Sequence, residues 1–238
     1  MKKIKIVSTF SDQGYELYGK KFIEDCQRFI SKGIEISLYV DNAPVPPTEN
    51  IKVFNLSTTI PKTLEFKQKY KENELLTDYR YNAVKFCYKV YVMCHEAMSD
   101  VDYLIWLDAD TRMVKDITPK YLLSFLPKNY FVSYLGRKGC PETGFLLFDL
   151  HNPYCKEFFD RFSWYYDSGE VFNLEQNHDA WVFDHVLKEF ESAQKIQGHS
   201  ITPKIPLKHP FNMAFEGYMM HLKGTMKVKI PKALKDEK

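Results

Sequence analysis

The chain has 238 residues, 45% of them hydrophobic and 27% charged, proportions that exclude a disordered, collagenous or coiled-coil protein. At this length a core can bury about three quarters of the unfolded surface without a disulfide or metal staple. Lys and Arg number 33 against 31 Asp and Glu, a net charge of +2, which excludes a protein built mainly to hold nucleic acid and leaves a small molecule as the expected partner.

In chain order, Ile4 and Ile6 alternate through a strand over 3–10, and Tyr18, Phe22, Cys26, Phe29 and Ile30 then recur at helical spacing. Gly33 ends that helix. Ile34, Ile36, Leu38 and Val40 alternate through a second strand that stops at Asp41-Asn42-Ala43-Pro44 and completes a βαβ unit. Residues 51–56 read as a third strand. Residues 58–79 are polar, rich in Lys and Glu and weakly periodic, and are expected to form a surface excursion or flap. A helix over 83–98 leads into Tyr103-Leu104-Ile105-Trp106-Leu107, an unbroken apolar run that fits a central strand covered on both faces. Thr118-Pro119 supplies an N-cap and a first-turn proline for a short helix through Phe125. Further strands are expected at 130–134 and 144–148 and helices at 158–166 and 180–190, with a loop-rich stretch from Ser192 onward. Alternating strands and helices predict an α/β fold with a largely parallel sheet, and no linker divides the chain.

The aromatic content of 16% suits ring-lined clefts for sugars or bases, and equally an aromatic core. Five cysteines, at positions 26, 87, 94, 140 and 155, form no Cys-x-x-Cys pair, so neither a disulfide framework nor a zinc site is expected and a reducing compartment fits. No apolar run reaches membrane-spanning length and the N-terminal stretch is too short for a signal-peptide core, so a cytoplasmic chain is expected. The Lys-rich segment 223–238 leaves room for peripheral membrane contact.

Asp108 and Asp110 stand one residue apart directly after the apolar strand, where open α/β sheets place their ligands. Such a pair can hold a hard divalent cation, Mn2+ or Mg2+, with phosphate oxygens and water completing the shell. Asp100 and Asp102 share the spacing but precede the strand, where acids are expected as solvated or capping residues. Near the C-terminus His221, Gly224 and Lys227 form a His-x-x-Gly-x-x-Lys array. An imidazole can ligate Mn2+, a glycine lets the backbone approach a phosphate, and a Lys ammonium can neutralise an oxyanion.

In this order the two motifs resemble those of the GT-A fold glycosyltransferases, and among them the retaining family 8 enzymes of the glycogenin and lipopolysaccharide galactosyltransferase type. The resemblance implies one Rossmann-like domain over 1–238, with 1–110 as the nucleotide-binding half and 111–238 as the acceptor side with the C-terminal metal and phosphate motif. It implies a Mn2+ (or Mg2+) site at Asp108, Asp110 and His221, donor diphosphate contacts at Asp108, Gly224 and Lys227, and a base pocket, typically for uridine, lined by Thr9, Phe10 and Asp41. It also implies a basic group near the donor from Arg80, Lys85 or Lys89, although Lys85 and Lys89 are four apart and equally fit a solvated helix face. Asp179 matches an acid that contacts the sugar or the reacting centre, and its place at a helix start also suits an N-cap. Glu142 either faces the acceptor cleft or is an exposed loop acid. Three positions depart from the pattern: Val228-Lys229 stands for Pro-Trp, Glu142-Thr143-Gly144 for Asn-Ala-Gly, and Ala180 for a Gln. His151, His185, His199 and His209 fit no site spacing and read as structural or surface residues.

The expected activity is metal-dependent transfer of a sugar, with retention, from a nucleotide diphosphate donor such as a UDP-sugar to a hydroxyl of a glycan or other acceptor. Inversion would call on Asp179 or Glu142 as base. Two other readings stay open. A sugar-phosphate nucleotidyltransferase normally needs a Gly-rich phosphate loop, whereas residues 8–14 hold a single Gly, and a non-catalytic nucleotide-sugar binding module would keep the fold without turnover.

Overall fold

A computed structural model describes residues 2–46 and 48–222, so Gly224, Lys227 and the segment 223–238 lie outside the described residues. Among the described residues nine strands follow in chain order: β1 Ile4–Thr9, β2 Ile34–Val40, β3 Ile51–Asn55, β4 Tyr103–Leu107, β5 Thr111–Met113, β6 Val132–Leu135, β7 Glu142–Asp149, β8 Gly198–Ser200 and β9 Met219–His221. Seven form one sheet in the order β3-β2-β1-β4-β7-β6-β8, and β5 pairs with β9 in a separate ribbon. Strands β3, β2, β1 and β4 are mutually parallel, β7 runs against β4 and β6, and β8 lies parallel to β6. The strand order grows outward from β1 through β3 and then returns to β4 on the other side. The C-terminal ends of β1 and β4 therefore flank a topological switch point, the usual ligand crevice of an open α/β sheet.

The longer helices are α1 Lys20–Phe29, α2 Lys62–Lys69, α3 Ala83–Glu96, α4 Pro119–Leu123, α5 Cys155–Ser168, α6 Asp179–Ser192 and α7 Pro210–Ala214. Helices α3, α5 and α6 cover one face of the sheet; α1, α4 and α7 cover the other. Strand β4 shows the consequence: Leu104 and Trp106 join the first core, while Ile105 and Leu107 join the second. An apolar run without alternation is what a strand buried on both faces requires. Thr118 caps α4 as its sequence predicts, its Oγ1 accepting from the Tyr121 amide at 3.1 Å.

Residues 58–70 do not form a flap, whereas 71–79 run over the surface with no buried side chain, as the sequence predicts. Leu56, Ile60, Thr63 and Phe66, spaced by three and four, are all buried, and the Phe66 ring lies 4.7 Å from Tyr70 and 5.5 Å from Tyr166 between centroids. The Lys and Glu residues that gave the segment its polar character occupy the outer side of an amphipathic helix. The ribbon β5–β9 and strand β8 also escape sequence reading, because three residues carry no period. No described helix is long and apolar enough to cross a membrane, and all five cysteines are unpaired.

Candidate active site

The site is assembled where β4 ends. The Asp108 amide donates to the Gly144 carbonyl of β7 at 2.9 Å, and the Thr111 amide donates back to the Asp108 carbonyl at 3.1 Å, which fixes the turn that carries both acids. Strand β5 then pairs with β9 so that Thr111 faces His221. The Leu222 amide donates to the Asp110 carbonyl at 2.9 Å, and the His221 amide to Asn212 Oδ1 at 2.7 Å. The ribbon thus delivers the His221 ring to the acidic pair, with Nε2 at 2.6 Å from Asp110 Oδ1 and 3.9 Å from Asp108 Oδ2.

Gly144 completes the concavity. A Cβ there would stand 3.2 Å from Glu142 Oε1, 3.3 Å from Asp108 Oδ2 and 3.5 Å from His221 Cε1, so the bare Cα keeps open a cradle between three potential ligands. One ligand atom from each of Asp108, Asp110 and His221 lies within 4.8 Å of the others, and the buried His221 Nδ1 has no hydrogen-bond partner. Two carboxylates and an imidazole fit Mn2+ well, and Mg2+ through the oxygens. Burial disfavours the His221 imidazolium, but the hydrogen bond and charge of Asp110, with the charges of Asp108 and Glu142, outweigh it and raise its pKa. Burial likewise raises Asp108, and neighbouring Asp110 adds to this against the opposing pull of Lys89, His221 and the Trp106 indole. Tyr18 is pushed up to about 12, first by burial and then by the two aspartates. Together these residues favour a positive charge at the acidic pair.

The basic partner is Lys89. Its Nζ lies 3.2 Å from Asp108 Oδ1 and 2.9 Å from Asp179 Oδ2, donates to the Thr143 carbonyl at 2.6 Å, and stands 5.1 Å from the Trp106 ring centre. Of the two lysines four apart on α3, only Lys85 keeps the solvated position. Lys89 lies one turn deeper, where the helix meets Trp106 and Thr143. Arg80 is exposed and pairs with Asp78 at 2.6 Å; its contribution to the surroundings is a carbonyl that accepts from the Asn177 amide at 2.7 Å.

Asp179 opens α6 without capping it: the N-cap residue is His178, and the Asp179 carboxylate instead accepts from Thr143 Oγ1 at 2.6 Å and faces Lys89. Burial opposes its ionisation, but Lys89 and the Thr143 hydroxyl prevail and hold its pKa below the usual carboxylate range. Glu142 is no exposed loop acid. It is buried, 3.3 Å from Arg137 Nη1, and its Oε1 accepts from the Gly144 amide at 3.3 Å. His209, read from sequence as structural or superficial, stands 3.5 Å from Glu142 Oε2 and packs edge-on against the His221 ring. No spacing in the sequence connects it to either; only the tertiary fold does.

Thr9 ends β1, and Phe10 and Asp41 directly follow β1 and β2, on the same sheet edge as Asp108. The Thr9 hydroxyl donates to the Tyr39 carbonyl at 2.6 Å, Phe10 is buried against Tyr15 with ring centres 6.0 Å apart, and exposed Asp41 accepts from the Ser57 amide at 2.8 Å.

No protein-family profile matches the sequence, and no curated protein matches it either. Among solved structures the chain is similar to the apo form of mouse xyloside xylosyltransferase 1, with a TM-score of 0.51 and 11% identity over 83% of this chain and 84% of that one. It is also similar to the apo structure of the bifunctional glycosyltransferase WbbM, with a TM-score of 0.57 and 12% identity. That match covers 94% of this chain but only 46% of WbbM. At these identities the likeness establishes the architecture: a GT-A-like α/β fold whose mostly parallel seven-stranded sheet is flanked by helices.

Proposed function

We propose that this chain is a metal-dependent glycosyltransferase, a hexosyltransferase that moves a sugar from a UDP-sugar to a hydroxyl of a glycan or other acceptor, with retention. The observation that carries the reading is the convergence of Asp108, Asp110 and His221, beside the Lys89–Asp179 pair, at the switch point of a GT-A-like sheet. The two solved structures named above carry glycosyltransferase names.

Donor binding falls to the half over 1–110, with Thr9, Phe10 and Asp41 on the base side. Asp108, Asp110 and His221 would hold Mn2+ or Mg2+, and Gly224 and Lys227 would face the diphosphate. When bound, the cation supplies Lewis-acid stabilisation of the charge that develops on the leaving diphosphate. Asp179 contributes differently. Held ionised by Lys89 and Thr143, it is a poor proton acceptor and a fixed negative charge, which suits stabilisation of an oxocarbenium-like sugar. That assignment favours a front-face displacement. The anomeric carbon–phosphate oxygen bond breaks, the bond to the acceptor oxygen forms, and the acceptor proton passes to the departing diphosphate. Glu142 would bound the acceptor side, and would be the base if the product were inverted.

Titration calorimetry of UDP with Mn2+, with chelator, and with Asp110→Asn tests the reading. Binding that needs both metal and Asp110 supports it, and product formation with an acceptor then separates an enzyme from a binding module. Absence of metal-dependent binding to any nucleotide diphosphate overturns it.

A further inference from the structure

His209 belongs to no sequence motif, yet its side chain is only 24% exposed and neither buried ring nitrogen has a hydrogen-bond partner. Nε2 lies 3.5 Å from Glu142 Oε2 without forming a hydrogen bond. Two ligands at about 2.1 Å from a shared tetrahedral cation stand roughly 3.4 Å apart. His221 closes the group: one ligand atom each from Glu142, His209 and His221 lies within 4.8 Å of the others, and the two rings meet at 5.4 Å between centroids. The His221 side chain is 5% exposed and its Nδ1 is also unpartnered. Buried imidazole nitrogens without partners are costly, and a cation is the partner that several converging ones share most readily.

We propose that Glu142, His209 and His221 form a second cation seat, adjoining the Asp108–Asp110 pair, that takes a nitrogen-preferring divalent ion such as Zn2+ or Co2+. Two imidazoles and one carboxylate suit borderline-soft ions in four-coordinate geometry, whereas Mg2+ seeks an octahedron of oxygens. Arg137 Nη1 donates at 3.3 Å to the same Glu142 Oε2 that faces His209 and offsets the carboxylate's charge, and a carboxylate oxygen keeps a further lone pair for a cation. The seat ties three elements together, since Glu142 opens β7, His209 precedes α7 and His221 ends β9. A neutral imidazole offers one lone pair, so His221 serves one seat at a time. With Nδ1 given to an ion beside Glu142 and His209, Nε2 carries the proton and donates to Asp110 Oδ1 at 2.6 Å, which withholds it from the first seat. The inference goes beyond the nucleotide-sugar reading and does not depend on it.

The test is titration of the metal-stripped full chain with Co2+, followed by visible absorption. The expected result is an intense four-coordinate band that Zn2+ abolishes and Mg2+ does not. Glu142→Gln and His209→Ala should each weaken Co2+ binding by at least tenfold to a hundredfold, the loss that removal of even an outer-shell partner brings. Asp110→Asn should keep the band. Circular dichroism confirms that each variant is folded, and His209→Gln replaces His209→Ala if the latter is not. A band that survives both Glu142→Gln and the His209 variant, or that disappears in Asp110→Asn alone, places the ion on the aspartates and overturns the proposal. So does the absence of any four-coordinate band. Failure of the donor reading appears separately, as UDP binding indifferent to metal and to Asp110.

Discussion

Lys89 Nζ and Asp179 Oδ2 meet at 2.9 Å in the interior, with 9% and 6% of their side chains exposed, so a helix crossing the sheet and the first turn of a distant helix share one buried ion pair. Removing one partner strands the other's charge. Lys89→Met leaves both Asp179 and Asp108 without the ammonium they share and is expected to cost about 3–5 kcal/mol of stability. Adding Asp179→Asn to that background should restore part of the loss, since Asp108 still lacks the ammonium. Urea denaturation of the two single variants and the double variant measures this, and a Lys89→Met protein as stable as the parent would show that the pair is not a coupled unit.

Gly144 is expected to matter for ligands more than for folding. Its alanine variant would place a methyl group 3.3 Å from Asp108 Oδ2 and 3.2 Å from Glu142 Oε1, contacts that a small shift of either carboxylate relieves. Gly144→Ala should therefore melt within a few degrees of the parent while binding Mn2+ about tenfold more weakly. Calorimetry and a thermal scan on one sample separate the two effects.

Phe66 tests whether residues 58–70 belong to the core. Buried among Tyr70, Tyr91, Tyr166 and Phe172, it should cost about 3–5 kcal/mol when truncated to Ala. A flap residue would cost almost nothing. Limited proteolysis gives an independent readout: helix α2 should resist cleavage in the parent and become susceptible in the variant.

Glu189 supplies a pH signature away from the site. Arg161 donates to it from Nε at 2.8 Å and from Nη2 at 2.9 Å. Those bonds outweigh partial burial, and with Tyr165 they lower its pKa below the usual Glu value. The unfolded carboxyl titrates near about 4.3, so the stability this residue contributes is present above that pH and lost as pH falls through the lower native value. Glu189→Gln should be less stable than the parent at neutral pH, and the gap should shrink as the solution is acidified from about pH 4.3 downward. Urea midpoints measured from pH 7 to pH 3 check it; a gap that stays constant would rule out the linkage.

Much of this molecule is legible in one dimension. Ile4 to Thr9 and Ile34 to Val40 alternate, Tyr103 to Leu107 does not, and the patterns mark all three as strands while singling out β4 for the centre of the sheet. Asp108 and Asp110 are legible for the same reason, since acids straight after a two-sided strand must emerge at the sheet edge. What stayed hidden depends on elements meeting. Lys85 and Lys89 look alike along α3, and only the approach of Trp106, Thr143 and Asp179 tells them apart. His209 reaches Glu142 through a loop whose path no local rule dictates. The apolar stripe of Leu56, Ile60 and Phe66 is regular, but it is diluted by the lysines and glutamates that share its turns.

The ribbon of β5 and β9 also sets an order of assembly. A polypeptide made from its N-terminus lays down the four parallel strands and both aspartates long before the residues of β9 exist. Scaffold and ligand set are thus finished at different times. A product cut short ahead of Met219 would retain most of the sheet but lack His221, the imidazole common to both ligand groups, so prematurely ended copies would offer a cation two side chains instead of three and hold it more weakly.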